Sequence, residues 1–121
     1  MQIKPLDKDF CIYKLDSIDL NVLNSNFCFY AKTDEEISLV CEADKRITDY
    51  VSRDDGWKAF RIEGILDFSL IGILAKITAL LAENKIGIFA VSTYNTDYIL
   101  VKEYNFERSL EVLRLNGYEI L

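Results

Sequence analysis

The sequence predicts an α+β fold, and three observations lead to it. Between Leu70 and Asn84, apolar residues recur at helical spacing: Leu70, Ile73, Leu74, Ile77, Leu80 and Leu81. On either side of this stretch, short alternating runs rich in aromatic and branched residues read as strands. Their order over residues 57–121 is strand, helix, strand, strand, helix, strand. That is the split βαβ arrangement of ferredoxin-like folds, a four-stranded antiparallel sheet with two helices on one face.

Each element follows from local chemistry. Phe10 to Leu15 alternates as a strand, and so do Phe27 to Lys32 and Ile37 to Glu42. Thr33-Asp34-Glu35-Glu36 joins the last two into a hairpin. Asp16 to Asn26 is polar and Asn-rich and reads either as a short helix or as an irregular loop. The polar run Ser52-Arg53-Asp54-Asp55-Gly56 marks a boundary or linker, dividing residues 1–56 from residues 57–121. Trp57 to Glu63 is the next strand, and Gly64 and Asp67 mark a loop. Ser69 or Asp67 is placed to cap the first helix, which Asn84 and Lys85 close. Ile86 to Tyr94 and Tyr98 to Lys102 are strands joined by a turn at Asn95-Thr96. Asn105 is placed to cap a second helix, with Glu107 in its first turn. Phe106, Leu110 and Leu113 form its inner stripe, and Gly117 supplies the left-handed residue that ends it. Tyr118 to Leu121 is a last short strand. The order of elements in residues 1–56 makes that half a degenerate copy of the same unit. The rival is one irregular α+β domain.

Composition narrows the function. Half of the 121 residues are hydrophobic and 28% are charged, which is a globular balance. Fourteen basic and twenty acidic residues give a net charge of −6. Residues 1–56 carry 7 basic and 12 acidic side chains, and residues 57–121 carry 7 and 8. An acidic chain repels a phosphate backbone, so a nucleic-acid role is disfavoured. Histidine is absent. That excludes a Ser-His-Asp triad, a Cys-His dyad and a His-ligated metal within the chain. The three cysteines, Cys11, Cys28 and Cys41, show no C-x-x-C spacing. They read as reduced, small apolar residues on strands, with a Cys28–Cys41 disulfide as the alternative. The N-terminus lacks an apolar signal core, and the apolar stretch from Leu70 to Ala82 is too short and too polar to span a bilayer. The expectation is a soluble, cytoplasmic protein with no membrane partner.

Two segments carry candidate chemistry. Asp67-Phe68-Ser69-Leu70-Ile71-Gly72-Ile73 runs into a helix start, whose unpaired N–H groups and partial positive charge suit a carboxylate or phosphate. Gly72 lets a ligand or another backbone come close, or it serves packing alone. Ser92-Thr93-Tyr94-Asn95-Thr96-Asp97 crowds hydroxyls, an amide and a carboxylate at a hairpin tip, which is also ordinary turn chemistry. Together a helix N-terminus and Asp97 suit a zwitterion, the first taking its carboxylate and the second its ammonium. The acidic run Asp34-Glu35-Glu36 reads as solvated surface, and no Walker, G-x-G-x-x-G or EF-hand pattern occurs. No nucleophile, base and orienter come together, so neither an enzyme, a cofactor nor a metal site is expected.

Glu63 to Ala75 and Ile88 to Val101 resemble the ACT domain, the small ligand-binding module of amino-acid metabolism. These segments are similar to those of short bacterial ACT proteins, and to the ACT pairs of the eukaryotic cytosolic arginine sensors. The resemblance implies two ferredoxin-like ACT units side by side, a divergent one over 1–56 and a second over 57–121. It implies a non-catalytic regulatory sensor that binds a small ligand, usually an amino acid, where ACT units meet. The ligand-binding positions it implies are Ser69, Leu70, Ile71, Gly72 and Ile73 on the loop and Thr93, Tyr94 and Asp97 on the hairpin. Ile71 departs from the family, which often has threonine there. A homodimer is expected, because a short ACT chain needs neighbours to complete its sites. The alternative is a protein–protein interaction module with no small-molecule ligand.

Overall fold

Alternation of buried and exposed residues carries the first strand much further than its aromatic run. In the computed structural model, which describes residues 1–18, 20–43, 47–64 and 71–121 (Val22 through its backbone alone), β1 spans Gln2–Leu15. A 3-10 helix follows at Leu20–Asn24, then β2 (Cys28–Lys32), β3 (Ile37–Glu42) and β4 (Ser52–Ile62). The C-terminal half continues with α1 (Ile73–Glu83), β5 (Phe89–Ser92), β6 (Asp97–Lys102), α2 (Glu103–Leu115) and β7 (Glu119–Ile120). The chain is α+β, as the sequence predicts. Among the described residues, no helix is long and apolar enough to cross a membrane.

The chain divides into two compact units, one of Met1–Asp7 with Lys58–Leu121 and the other of Lys8–Trp57. Ser52–Gly56, expected as a linker, lies within β4. Its residues are exposed, so the polar composition marks a solvated strand, and the division between the units falls just past it, between Trp57 and Lys58.

In the larger unit β6 lies between β4 and β5, and both α1 and α2 pack on the sheet around one core. That core includes Ile3, Phe60, Ile62, Ile77, Leu81, Ile99, Val101 and Leu113, all fully buried. Ile3 explains why the first residues belong here. Residues 2 and 3 pair in parallel with residues 119 and 120 of β7, while the Glu63 amide donates to the Gln2 carbonyl at 3.0 Å. β7 therefore reaches the sheet through β1, a pairing that sequence order conceals.

The helices form where their apolar spacing demands. Ile77 and Leu81 are one turn apart and fully buried, each worth about 1.5–3 kcal/mol of apolar transfer. Both helices end in the same way. The amide of Ile86 donates to the Leu81 carbonyl and that of Lys85 to Ala82; the amides of Tyr118 and Gly117 donate to Leu113 and Arg114. Each is a Schellman closure, which needs a left-handed residue just past the cap. Gly117 supplies it in α2 at φ 93°, but α1 uses Lys85 at φ 60°. Arg108 of α2 also donates to the Asn84 carbonyl at 2.7 Å, placing a cation at the negative end of α1. The expected cap at Asn105 is not found: α2 begins at Glu103, and Asn105 lies inside its first turns, accepting from Arg108. Glu103, not Glu107, is the acid of the first turn.

The smaller unit has its own core of Cys11, Tyr13, Leu15, Leu39, Cys41 and Ile47. The open question over residues 16–26 resolves to the five-residue 3-10 helix, whose Leu20 and Leu23 stay exposed. The two hairpins of the chain are alike. In β2–β3 the Thr33 amide donates to the Glu36 carbonyl at 2.9 Å, and in β5–β6 the Thr93 amide donates to Thr96 at 2.9 Å. Threonine oxygens accept from the turn amides in both. The strands that follow, β3 and β6, share one burial pattern, with three buried residues between half-buried ends.

Candidate functional site

The first half of the site is the start of α1. Gly72 is its N-cap, with φ 81° and ψ 6°, and among the described residues no side chain caps the helix. The Lys76 amide donates to the Gly72 carbonyl at 3.0 Å as the first helical bond. The amides of Ile73, Leu74 and Ala75 precede that ladder, so they are the N–H groups that a helix start leaves to an outside acceptor. Among the described residues nothing lies within 4 Å of where a Cβ on Gly72 would stand. The left-handed backbone is by itself a reason for glycine at this position. Ile71 beside it is 92% exposed, and Ile73 is half-buried against the core. Ser69 and Leu70, and the expected caps at Asp67 and Ser69, lie outside the described residues.

The second half is the tip of the β5–β6 hairpin. Thr93 closes the turn twice, through its amide and through its hydroxyl, which donates to the Thr96 carbonyl at 3.0 Å. Thr96 is buried, and its hydroxyl donates to the Ile62 carbonyl at 2.7 Å. That bond fixes the tip against the end of β4. Asp97 opens β6, and its Oδ1 accepts from the Ser92 hydroxyl at 2.5 Å. A carboxylate has further acceptor capacity after one such bond. Tyr94, at the apex, is 80% exposed.

Sequence reasoning passed over Arg61. Its Nε donates to Glu63 at 3.1 Å and its Nη1 to the Tyr98 hydroxyl at 3.4 Å, with the guanidinium carbon 5.9 Å from the Tyr98 ring centre. Burial works against its charge, but the bonds to Tyr98 and Glu63 outweigh it and hold its pKa above the ordinary value. The signal was its place one residue before buried Ile62, which turns it to the opposite face of β4.

Ile71, Gly72 and Ile73 thus belong to the same compact unit as Thr93, Tyr94 and Asp97. None of them is among the described residues lining a cavity of about 670 Å³, which lies in the smaller unit. Among the described residues no group of three His, Cys, Asp or Glu side chains is arranged to hold a metal ion.

Comparison with known proteins follows the same lines. A family model described as ACT domain matches residues 52–114. A solved protein of Agobacterium tumefaciens is 32% identical, with 99% of this chain and 91% of that one covered and a TM-score of 0.88. Aspartate kinase of Clostridium acetobutylicum, described as an allosteric enzyme, is 17% identical. There 88% of this chain covers 32% of the kinase, with a TM-score of 0.64. A structure of aspartokinase alpha and beta subunits is 17% identical over 94% of this chain and 91% of that one, with a TM-score of 0.66. No curated protein matches the chain.

Proposed function

From the premise that this chain belongs to the ACT domain family, we propose that it is a non-catalytic regulatory protein that binds an amino acid, where its larger unit meets an ACT unit of a second copy. ACT domains are regulatory, ligand-binding modules, as in the aspartokinases. The observation that carries the reading is the Thr96–Ile62 hydrogen bond. It seats the hairpin tip, and with it Asp97 at the start of β6, on the end of β4, in the same compact unit that holds the start of α1.

The chemistry divides between the two halves. The amides that open α1, with the helix dipole behind them, take the ligand carboxylate. Asp97, oriented by Ser92, takes the ammonium. Thr93 holds the turn, and Tyr94 and Ile71 offer exposed apolar surface to the ligand's side chain and to the partner unit. A ligand bound at that junction favours the assembled state by mass action, which is the regulatory output. The resemblance to the arginine-sensor ACT pairs makes arginine the first amino acid to try. No residue of the site has the role of nucleophile or general base.

A thermal-shift panel of the twenty amino acids tests this. Ligand at a hundred times its dissociation constant adds about 2.7 kcal/mol, a shift of several degrees. Stabilisation by one amino acid, or by a few of one class, is the expected result. A flat panel favours the second reading, an interaction module, which rests on the exposure of Ile71, Tyr94 and Tyr104.

A further inference from the structure

The smaller unit carries a cleft of its own. Between β4 and β5 of the larger unit, α1 buries Ile77 and Leu81 on the sheet. Among the described residues between β1 and β2 of the smaller unit, the helical segment is the 3-10 helix Leu20–Asn24, with Leu20 and Leu23 exposed. Beside this helix, lined by its Asn21 and Asn24, lies the cavity of about 670 Å³, inside the size range of small-molecule sites. Every described lining residue belongs to this one unit.

The walls are of two kinds. Leu15 and Leu39 from the sheet, with Ile18 and Ile47, are apolar, and three of the four are buried. Ser17, Asn21, Asn24, Ser25 and Thr48 bring hydroxyls and amides, which both donate and accept. Asp49 is the one ionised side chain among the described lining residues. The wall that carries Thr48 and Asp49 is held at both ends. The Ala43 amide donates to the Asp9 carbonyl at 2.8 Å, and the Val51 amide donates to the Lys14 carbonyl at 2.8 Å. Between them Ile47 anchors in the core. On the other side, the Ser25 hydroxyl donates to the Phe27 carbonyl at 3.2 Å, fixing the end of the 3-10 segment.

Charge decides what fits. A carboxylate beside neutral donor-acceptors attracts a cation, and the excess of acids over bases in residues 1–56 gives the same sign over a wider area. The described residues offer no second and third carboxylate that would make a metal site of it. An apolar floor of this size suits a branched or aromatic hydrocarbon body. We propose that the cleft of the smaller unit is a second ligand site, separate from the Gly72–Asp97 region, for a small molecule that joins an apolar body to a primary ammonium. A free amine and an amino acid with an apolar side chain both carry that chemistry. Asp49 pairs with the ammonium at the rim, and Leu15, Leu39 and Ile47 take the body.

Amide-resolved NMR titration of the full chain tests this with five probes: 2-phenylethylamine, 3-methylbutylamine, phenylalanine, leucine and phenylacetate. The expected result is saturable shifts at Ser17, Asn21, Asn24, Thr48 and Asp49 with at least one ammonium probe by about 10 mM, the range of a weak millimolar site. Tighter binding of the amines identifies the free amine as the ligand class, and tighter binding of the amino acids identifies the other source. Asp49→Asn weakens the ammonium probe about tenfold while the remaining spectrum stays native, since the residue is exposed. Asn21→Trp, at another exposed position, blocks the cleft. The proposal is overturned if no ammonium probe saturates these amides, if phenylacetate binds as tightly, or if Asp49→Asn changes nothing. The amides of Ile71–Ile73 and Thr93–Asp97 report the other site in the same spectra, so failure of one reading is distinct from failure of the other.

Discussion

Replacing Gly72 by alanine separates the two reasons a glycine can stand at a helix start. Among the described residues nothing lies within 4 Å of the added Cβ, but the backbone is not neutral, at φ 81°. A left-handed conformation costs a residue with a Cβ about 1–2 kcal/mol. Alanine in place of glycine returns about 0.4–1 kcal/mol by narrowing the unfolded ensemble. The net expectation is a loss of about 1 kcal/mol, or about 4 °C in Tm for a chain of this size. Gly72→Asn should lose less, because asparagine tolerates the left-handed region. Urea and thermal unfolding of the wild type and both variants measure it. If Gly72→Ala is as stable as the wild type, backbone strain is not why glycine is there. If it loses about 3 kcal/mol or more, a close contact has been missed.

Three further outcomes follow from the geometry. Thr96→Val keeps the shape but strips the bond to the Ile62 carbonyl, so it should cost about 1–3 kcal/mol in urea unfolding; a loss below about 0.3 kcal/mol would show that the bond does not hold the tip. Lys85→Gly should stabilise the protein by about 0.5–1 kcal/mol in the same assay, since it relieves a left-handed lysine in the closure of α1. Cys11, Cys41 and Cys28 stand opposite one another in a row across β1, β3 and β2. The Thr33–Glu36 bond makes Cys28–Cys41 a non-hydrogen-bonded pair, the closer kind, while the Asp9–Ala43 bond makes Cys11–Cys41 the wider kind. Excess oxidised glutathione should therefore join Cys28 to Cys41, releasing reduced glutathione, and peptide mapping that finds Cys11–Cys41 instead would refute the register argument. Burial pushes the Cys28 thiol up, so the folded chain keeps that proton where the unfolded chain gives it up. The stability this contributes is present below the ordinary thiol pKa of about 8.5 and is lost as pH rises above it.

Much of the larger unit was legible because its signals are periodic. Ile77 and Leu81 mark the buried face of α1, and Gly117 marks the end of α2, as spacing and backbone preference require. What escaped were features set by distant partners. Ile3 joins the larger core through pairing with residues 119–120, more than a hundred positions away. Ser52–Gly56 looked like a linker because solvated strands and linkers share a composition. Asn105 looked like a cap because amide side chains suit caps, yet it bonds Arg108 inside the helix. For the candidate site, residue types at the hairpin tip could be read directly, but not the Thr96 bond that seats them, which depends on β4 being its neighbour. The cleft of the smaller unit left no motif, since its described lining comes from separate segments, residues 15–25, Leu39 and residues 47–49.

The central claim is that the chain binds an amino acid through Asp97 and the start of α1, and isothermal titration tests it most directly. Each amino acid that stabilises the protein is titrated into wild type and into Asp97→Ala, with the variant's fold checked by circular dichroism. The account predicts saturable binding to the wild type and affinity weaker by about tenfold or more in a folded Asp97→Ala, the worth of one charge-assisted bond. Equal affinity in both proteins, or no heat from any of the twenty amino acids, would contradict it.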